Sequence, residues 1–437
     1  MRRLVALLSA PALLALAAVV TVAGCRGTPR DPDVILLVVD TLRAQSMSVY
    51  GYDRDTTPNL EAFADDAVTY EKAISPGTWT VPAHASLLTG RWPSFHGAER
   101  VVGDRLLALP IDPGVPTLAE VLSREDWRTG AFVANTTYLS SVLGFARGFR
   151  TYWENHPLLR ADGILKEAAA WLAAEPGKSF LFVNVLDPHE PYEPPPPFDT
   201  RFPGRDPSLG GSLDPLRNGT PLTPAIVAHL VSQYDGEIAF TDEELGKFFA
   251  ELKKQGRYDS SLIFVTADHG ELLGEHGLAG HGLEPFEPLV RVPLLVKYPG
   301  NTAGGTRIAR RVSTMAIFAT VFHALGIALP EGTQAVPVNL PQPVLVEDID
   351  PAGRRVRAAY EGTQKLVEAR TRDGNVESAL YDLETDPIET QPRDGKGSTL
   401  QAALDAFTSL PRPVNPAPRQ VIDAKQAAKP RQLGSVE

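Results

Sequence analysis

Val34-Ile35-Leu36-Leu37-Val38-Val39-Asp40 is the stretch that decides the fold. Six apolar, largely β-branched residues run without a polar interruption, which predicts a strand buried on both faces of a parallel sheet. The run stops at a carboxylate. Two later segments repeat the pattern: Ser179 to Leu186 ends at Asp187-Pro188-His189, and Leu262 to Ala267 ends at Asp268-His269-Gly270. Amphipathic helical periodicity precedes both, from Ile164 to Ala174 and from Ile238 to Leu252. Strands alternating with helices predict an α/β sheet with right-handed crossovers. Ligands of such sheets bind beyond the carboxyl ends of the strands. Asp40, Asp187, His189, Asp268 and His269 are therefore expected to converge on one edge.

Carboxylates and imidazoles gathered at one edge need a compensating charge, and a divalent cation is the simplest one. Asp with His suits zinc or manganese and, with more oxygen ligands, calcium. Asp40 alone also reads as a cap for a following helix. The segment from Asp268 is harder to explain that way, because His269, His276 and His281, three of the nine histidines, fall in a Gly-rich loop that has no core to pack them in.

Composition narrows the remaining choices. The chain has 437 residues, and 53 acidic against 42 basic side chains give a formal charge of −11, which excludes the broad basic surface nucleic-acid binding requires. The single cysteine, Cys25, excludes an intramolecular disulfide and a Cys-based zinc finger, so any metal is left to Asp, His, Asn or Thr. Met1-Arg2-Arg3, the apolar run Leu4 to Val20 and the small residues up to Gly24 read as a secretory signal over residues 1–24. Val22-Ala23-Gly24-Cys25 resembles a bacterial lipobox, which implies a lipid on Cys25, a tether over 25–33, and an exported protein held at a membrane of the cell envelope. An uncut signal anchor is the other reading of the same residues.

A nucleophile is the missing element. In Ser75-Pro76-Gly77-Thr78-Trp79-Thr80-Val81-Pro82-Ala83-His84-Ala85-Ser86-Leu87-Leu88-Thr89-Gly90, Pro82 fits a first helical turn, Ala83 to Leu88 are good helix formers, and Gly90 is a suitable stop. Thr80 is then expected at the helix N-terminus, where free amides and the positive dipole end favour a tetrahedral anion. A metal-bound hydroxyl there would attack sulfur or phosphorus. Taken alone, Thr80 also reads as a helix cap.

Together these residues resemble the sulfatase branch of the alkaline phosphatase superfamily. Ordered blocks carry the resemblance from about Asp33 to Glu389: Val38 to Arg43, Thr57 to Leu60, Thr80 to Gly90, Asp187 to Tyr192, Asp268 to Glu271, Arg291 to Val296, and Leu380 to Glu384 with Asp386-Pro387. It implies a large, mostly parallel central sheet sandwiched by helices over residues 34–330, a small C-terminal α+β subdomain over 331–392, and a tail over 393–437. It also implies that Asp40, Asp268 and His269 are metal ligands, that His189 and His281 contact the sulfate or the leaving oxygen, and that Thr80 stands at the nucleophile.

The departures from the family pattern are specific. Members usually carry Cys or Ser at the nucleophile, converted to formylglycine, in a Cys-x-Pro-Ser/Ala-Arg pattern. Here it reads Thr80-Val81-Pro82-Ala83-His84, so the aldehyde-hydrate mechanism is excluded. Thr41 replaces the second aspartate of the usual pair, and His281 stands where a lysine is expected. These changes resemble phosphodiesterase and phosphoethanolamine-transferase relatives with a threonine nucleophile and zinc. That implies one metal on Asp40, Thr80, Asp268 and His269 and a second on Asp187, His189 and His281, with His84 near the anion.

The expectation is a metal-dependent ester hydrolase, using zinc, calcium or manganese. Its substrate would be a sulfated or phosphorylated small molecule, glycan or lipid head group. The alternatives are a phosphodiesterase or phosphoethanolamine-type transferase, and a catalytically silent, glycan-binding domain. Elsewhere, the Pro-rich stretch from Glu190 to Thr220 reads as a wall of the cleft. Tyr234 to Glu237 reads as a solvated helix face with a buried Tyr, and the segments around Asp373-Gly374 as a hairpin. A short helix is expected near Leu400 to Phe407, before a Pro-, Gln- and Lys-rich tail.

Overall fold

The computed structural model describes residues 32–101, 108–154 and 159–412. The expected signal, Cys25 and the last part of the tail lie outside the described residues.

The large sheet contains β1 (Val34–Val39), β2 (Val68–Ile74), β3 (Arg128–Val133), β4 (Thr151–Trp153), β5 (Ser179–Val185) and β6 (Leu262–Ala267). A small ribbon of β7 (Leu272–Leu273) and β8 (Ala279–Gly280) follows, and then β9 (Arg291–Val292), β10 (Leu294–Lys297) and β11 (Arg307–Ser313) rejoin the sheet. Its order is β11-β2-β10-β6-β1-β5-β3-β4, with β9 on β2. β1 lies parallel to both β5 and β6 in matched register, so Val39, Val185 and Ala267 end side by side. The three runs read as buried strands thus form the centre. Only β9 and β10 run against the others, β10 between β2 and β6.

The continuous apolar run of β1 is explained by what covers it. Val34, Leu36 and Val38 face one core, shared with α2 (Thr80–Thr89), α4 (Leu118–Arg124) and α9 (Ala316–Leu325) through Leu87, Leu122 and Phe318. Ile35, Leu37 and Val39 face the other, built with α1 (Pro58–Ala64), α5 (Ala161–Ala174) and α7 (Pro224–Lys254) through Phe63, Ile164 and Ile238. Alternation cannot appear in a strand whose two faces are equally dry. The short helices α3 (Pro93–His96), α6 (Asp214–Arg217) and α8 (Glu287–Val290) lie in the connections.

α7 is longer than its periodicity indicated, because Pro224 at its start and the Thr223 hydroxyl, accepting from the Ile226 amide at 3.3 Å, extend it toward the N-terminus. The acidic segment on it is not solvated. Asp235 and Glu237 are buried, Asp235 against the Tyr52 hydroxyl (2.9 Å) and Arg54 (2.7 Å), and Glu237 accepting from the Glu193 amide at 2.8 Å. Charge in a helix face signals solvent only when no distant partner reaches it.

The C-terminal part is an antiparallel sheet, β12 (Leu345–Ile349), β13 (Arg355–Glu361), β14 (Gln364–Arg370) and β15 (Val376–Asp382), followed by α10 (Thr399–Thr408). It is tied to the large sheet by the buried Lys365 ammonium, 2.7 Å from Glu389 and 3.2 Å from Glu287.

Candidate active site

Three sheet ends bring the polar residues together. Asp40 directly follows β1, and its Oδ2 accepts from Asn135 Nδ2 at 2.9 Å and from Asn184 Nδ2 at 3.5 Å. Those bonds fix the carboxylate and leave Oδ1 buried without a hydrogen-bond partner. Thr41 then turns the chain at φ +57, and the Tyr234 hydroxyl holds that turn by donating to the Thr41 carbonyl at 2.6 Å and accepting from the Arg43 amide at 3.0 Å.

Asp268 and His269 follow β6. Asp268 Oδ1 accepts from the amides of Thr41 (3.2 Å) and His269 (2.8 Å), and its Oδ2 lies 3.3 Å from both His269 Nε2 and His84 Nδ1. Burial alone would raise the Asp268 carboxyl, but His269 and His84 outweigh it and hold it well below the usual carboxylate range. His269 Nδ1 is bonded to the Gly270 carbonyl at 2.9 Å, which makes Nδ1 the donor and turns Nε2 toward Asp40 Oδ1, 3.8 Å away. One ligand atom each from Asp40, Asp268 and His269 lies within 4.8 Å of the others, all three residues buried.

Gly270 makes this approach possible. A Cβ there would stand 2.0 Å from the Pro288 carbonyl oxygen and 2.9 Å from Arg43 Cβ. Gly270→Ala is expected to destabilise the fold by about 2 kcal/mol or more, because backbone must move at both contacts. Chemical denaturation of the two proteins measures it, and equal stability would show that the loop yields freely.

Thr80 opens α2, as expected, and Gly90 closes it in the left-handed region at φ +63. The Thr80 hydroxyl lies 3.5 Å from His269 Nε2. The positive end of the ten-residue helix therefore faces the same point as the two carboxylates. His84, one turn on, is fully buried, with Nδ1 directed to the Thr80 carbonyl (3.0 Å) and to Asp268. It sits behind the nucleophile position and braces Asp268. Burial opposes its charge, yet Asp268 raises it above the ordinary imidazole range.

His189 and His281 are half-buried and face each other, ring centroids 5.1 Å apart, with the His281 ring 4.6 Å from that of His269. His281 Nδ1 lies 3.0 Å from Glu271 Oε1. Burial, with His189 adding to it, lowers His281 to about 4, whereas burial raises Glu271 to about 8. Asp187 stands apart from these histidines. Its Oδ2 accepts from the Ala161 amide at 2.9 Å, capping α5, with Arg160 3.8 Å from Oδ1. Burial raises it to about 6. An Asp after a strand has two uses, and here the nearby helix start engages its carboxylate.

Several supporting residues carried no local signal in the chain. Asp348 on β12 accepts from the Thr78 amide at 3.1 Å and from Trp79 Nε1 at 3.0 Å, so the C-terminal sheet grips the residues just before Thr80. Asn184 lies inside a strand and reaches Asp40 only through the β1–β5 register. Both depend on long-range pairing.

Residues 32–327 match the family described as sulfatase. Among characterised relatives, the ulvan-active sulfatase of Formosa agariphila is 26% identical over 429 residues, covering 86% of this chain and 80% of that protein. The choline-sulfatase of Rhizobium meliloti is 25% identical over 458 residues, covering 88% and 86%. Among solved structures, the phosphonate monoester hydrolase of Agrobacterium radiobacter superposes with a TM-score of 0.68 at 20% identity, covering 86% of this chain and 94% of that one.

Proposed function

This chain belongs to the sulfatase family, and on that premise we propose that it is a metal-dependent hydrolase that cleaves a sulfate ester, or a phosphate ester, by attack of the Thr80 hydroxyl. The observation that carries this reading is the meeting of Asp40 Oδ1, buried and without a hydrogen-bond partner among the described residues, and Asp268 Oδ2, buried beside His84 and His269, with His269 Nε2 and Thr80 Oγ1. Two buried carboxylates brought this close together are costly in a dry interior, and a cation offsets that cost. Asp40, Asp268 and His269 fit that cation, with Thr80 Oγ1 as the fourth ligand. The charge that a divalent ion, zinc, calcium or manganese, would supply at these residues would acidify the Thr80 hydroxyl and polarise the ester oxygens.

The chain's own groups do the rest. Thr80 Oγ forms a bond to sulfur or phosphorus as the bond to the leaving oxygen breaks, and the first amides of α2 face the charge that develops. His189 gives the leaving oxygen a proton, while His281, which burial keeps uncharged near neutral pH, orients that oxygen. Water then releases the threonyl ester, or another alcohol accepts the group. Formylglycine chemistry has no place here, because the residue is threonine.

Sulfatase relatives at 26% and 25% identity support a sulfated small molecule or glycan as substrate. Thr80 itself supports the second reading, a phosphodiesterase or phosphoethanolamine-type transferase. The complete Asp40, Asp268 and His269 set argues against a silent glycan-binding domain. Engagement of Asp187 by the start of α5 argues against a second metal on Asp187, His189 and His281. We also propose export and attachment to a cell-envelope membrane through a lipid on Cys25.

Elemental analysis with initial rates on aryl sulfate, aryl phosphate and phosphodiester tests the function. Bound metal with preferential aryl sulfate turnover is expected. Preferential phosphodiester turnover would move the assignment to the second reading, and absence of both metal and turnover would refute catalysis.

A further inference from the structure

A cavity of about 450 Å³ lies apart from Thr80 and the histidines, between the large sheet and the C-terminal part. That volume is in the range of small-molecule sites. Its lining is unbalanced in charge once internal pairs are set aside. Arg43 pairs with Glu275 at 2.6 Å, and Glu287 with Lys365 at 3.2 Å, although Lys365 is shared with Glu389 at 2.7 Å. Four cations, Arg43, Lys72, Arg291 and Arg311, line it against three carboxylates, Glu275, Glu287 and Glu384.

None of Lys72, Arg291 and Arg311 lies within ion-pair distance of a carboxylate among the described residues. Lys72 is exposed, and Arg291 donates to the Glu71 carbonyl at 3.1 and 3.3 Å. Arg311 donates one bond to the Gly362 carbonyl at 2.6 Å, its guanidinium stacks 4.7 Å from the Tyr360 ring centre, and its Nε is buried without a partner. Lys72 and Arg311 are also direct neighbours in the β2–β11 register. Like charges facing across a strand pair repel, and a planar guanidinium with a spare N–H is suited to an oxyanion. An anion between them would relieve both costs. The lining also includes the apolar Leu383, Pro387 and Ile388, the last 57% exposed.

We infer that this cavity is a second binding site, distinct from the catalytic one, for a sugar-sized molecule carrying a sulfate or phosphate group. The oxyanion sits among Lys72, Arg291 and Arg311, and the organic body lies on Leu383 and Ile388. This inference does not depend on the role of Thr80.

Equilibrium binding to the full chain of glucose 6-sulfate, glucose 6-phosphate, free sulfate, free phosphate and uncharged glucose tests it, for wild type, Lys72→Gln and Arg311→Gln. The sulfated and phosphorylated sugars are expected to bind wild type and to lose about tenfold or more in affinity in each variant, with glucose not binding. Turnover of a small aryl ester by Lys72→Gln should stay within about twofold of wild type at the same substrate concentration. Lys72 is exposed and its ammonium makes no hydrogen bond among the described residues, so its variant reports on binding even if Arg311→Gln unfolds. Equal affinity for the free ions would support the oxyanion site and identify an inorganic occupant. Unchanged affinity in Lys72→Gln, or parallel loss of binding and turnover, would overturn it.

Discussion

Thr80→Ala is expected to lower kcat/KM by about three orders of magnitude or more, with metal content and melting temperature nearly unchanged. The hydroxyl and one methyl group are removed, and the hydroxyl lies at the N-terminus of α2 against His269 Nε2 at 3.5 Å. Its site is buried, at 1% exposure, but the loss of two heavy atoms is a small perturbation beside the loss of the attacking atom. Thr80→Ser keeps the hydroxyl and should recover a large part of the rate. If Thr80 were a helix cap alone, Ala would cost about 1 kcal/mol of stability and leave chemistry largely intact. Steady-state kinetics with parallel melting curves separates the two outcomes.

Metal removal carries the second large effect. Chelation is expected to abolish turnover and to lower the melting temperature, with both restored by adding back one divalent ion. Asp268→Asn should lose the metal and at least about a thousandfold in rate, since Asp268 Oδ2 is shared by His84 and His269 at 3.3 Å. The metal-free protein should also show a signed pH dependence. The folded Asp268 carboxyl is held below its ordinary value of about 4, so its stabilisation is present above that pH and is lost as pH falls toward the lower folded value. Asp268→Asn should flatten that acid limb. A chelated enzyme with full activity would contradict the metal role.

The centre of the fold was legible because burial on both faces leaves a plain sequence mark. β1, β5 and β6 are largely apolar runs, and β1 and β6 lead directly into Asp40 and Asp268 of the site. The Thr80 helix was legible from Pro82 and Gly90, which mark its ends. The antiparallel insertion of β10 was not, since a four-residue strand carries no direction in its composition. The same limit applies to function. His84 was expected near the anion, yet its Nδ1 turns to Asp268 and the Thr80 carbonyl, a choice set by helix phase and by the distance to β6. Asp187 follows its strand as Asp40 does, but Ala161 engages one and Asn135 the other. Local sequence gives the residue type at a sheet edge, and only tertiary packing decides which way its carboxylate faces.

The most direct test of the nucleophile is mass spectrometry of the peptide carrying Thr80 from enzyme quenched during turnover of an aryl sulfate or phosphate. A gain of one sulfuryl or phosphoryl group on Thr80, absent in Thr80→Ser where serine carries it instead, is expected. Unmodified Thr80 in an enzyme that turns over, with retention of full rate by Thr80→Ala, would contradict it.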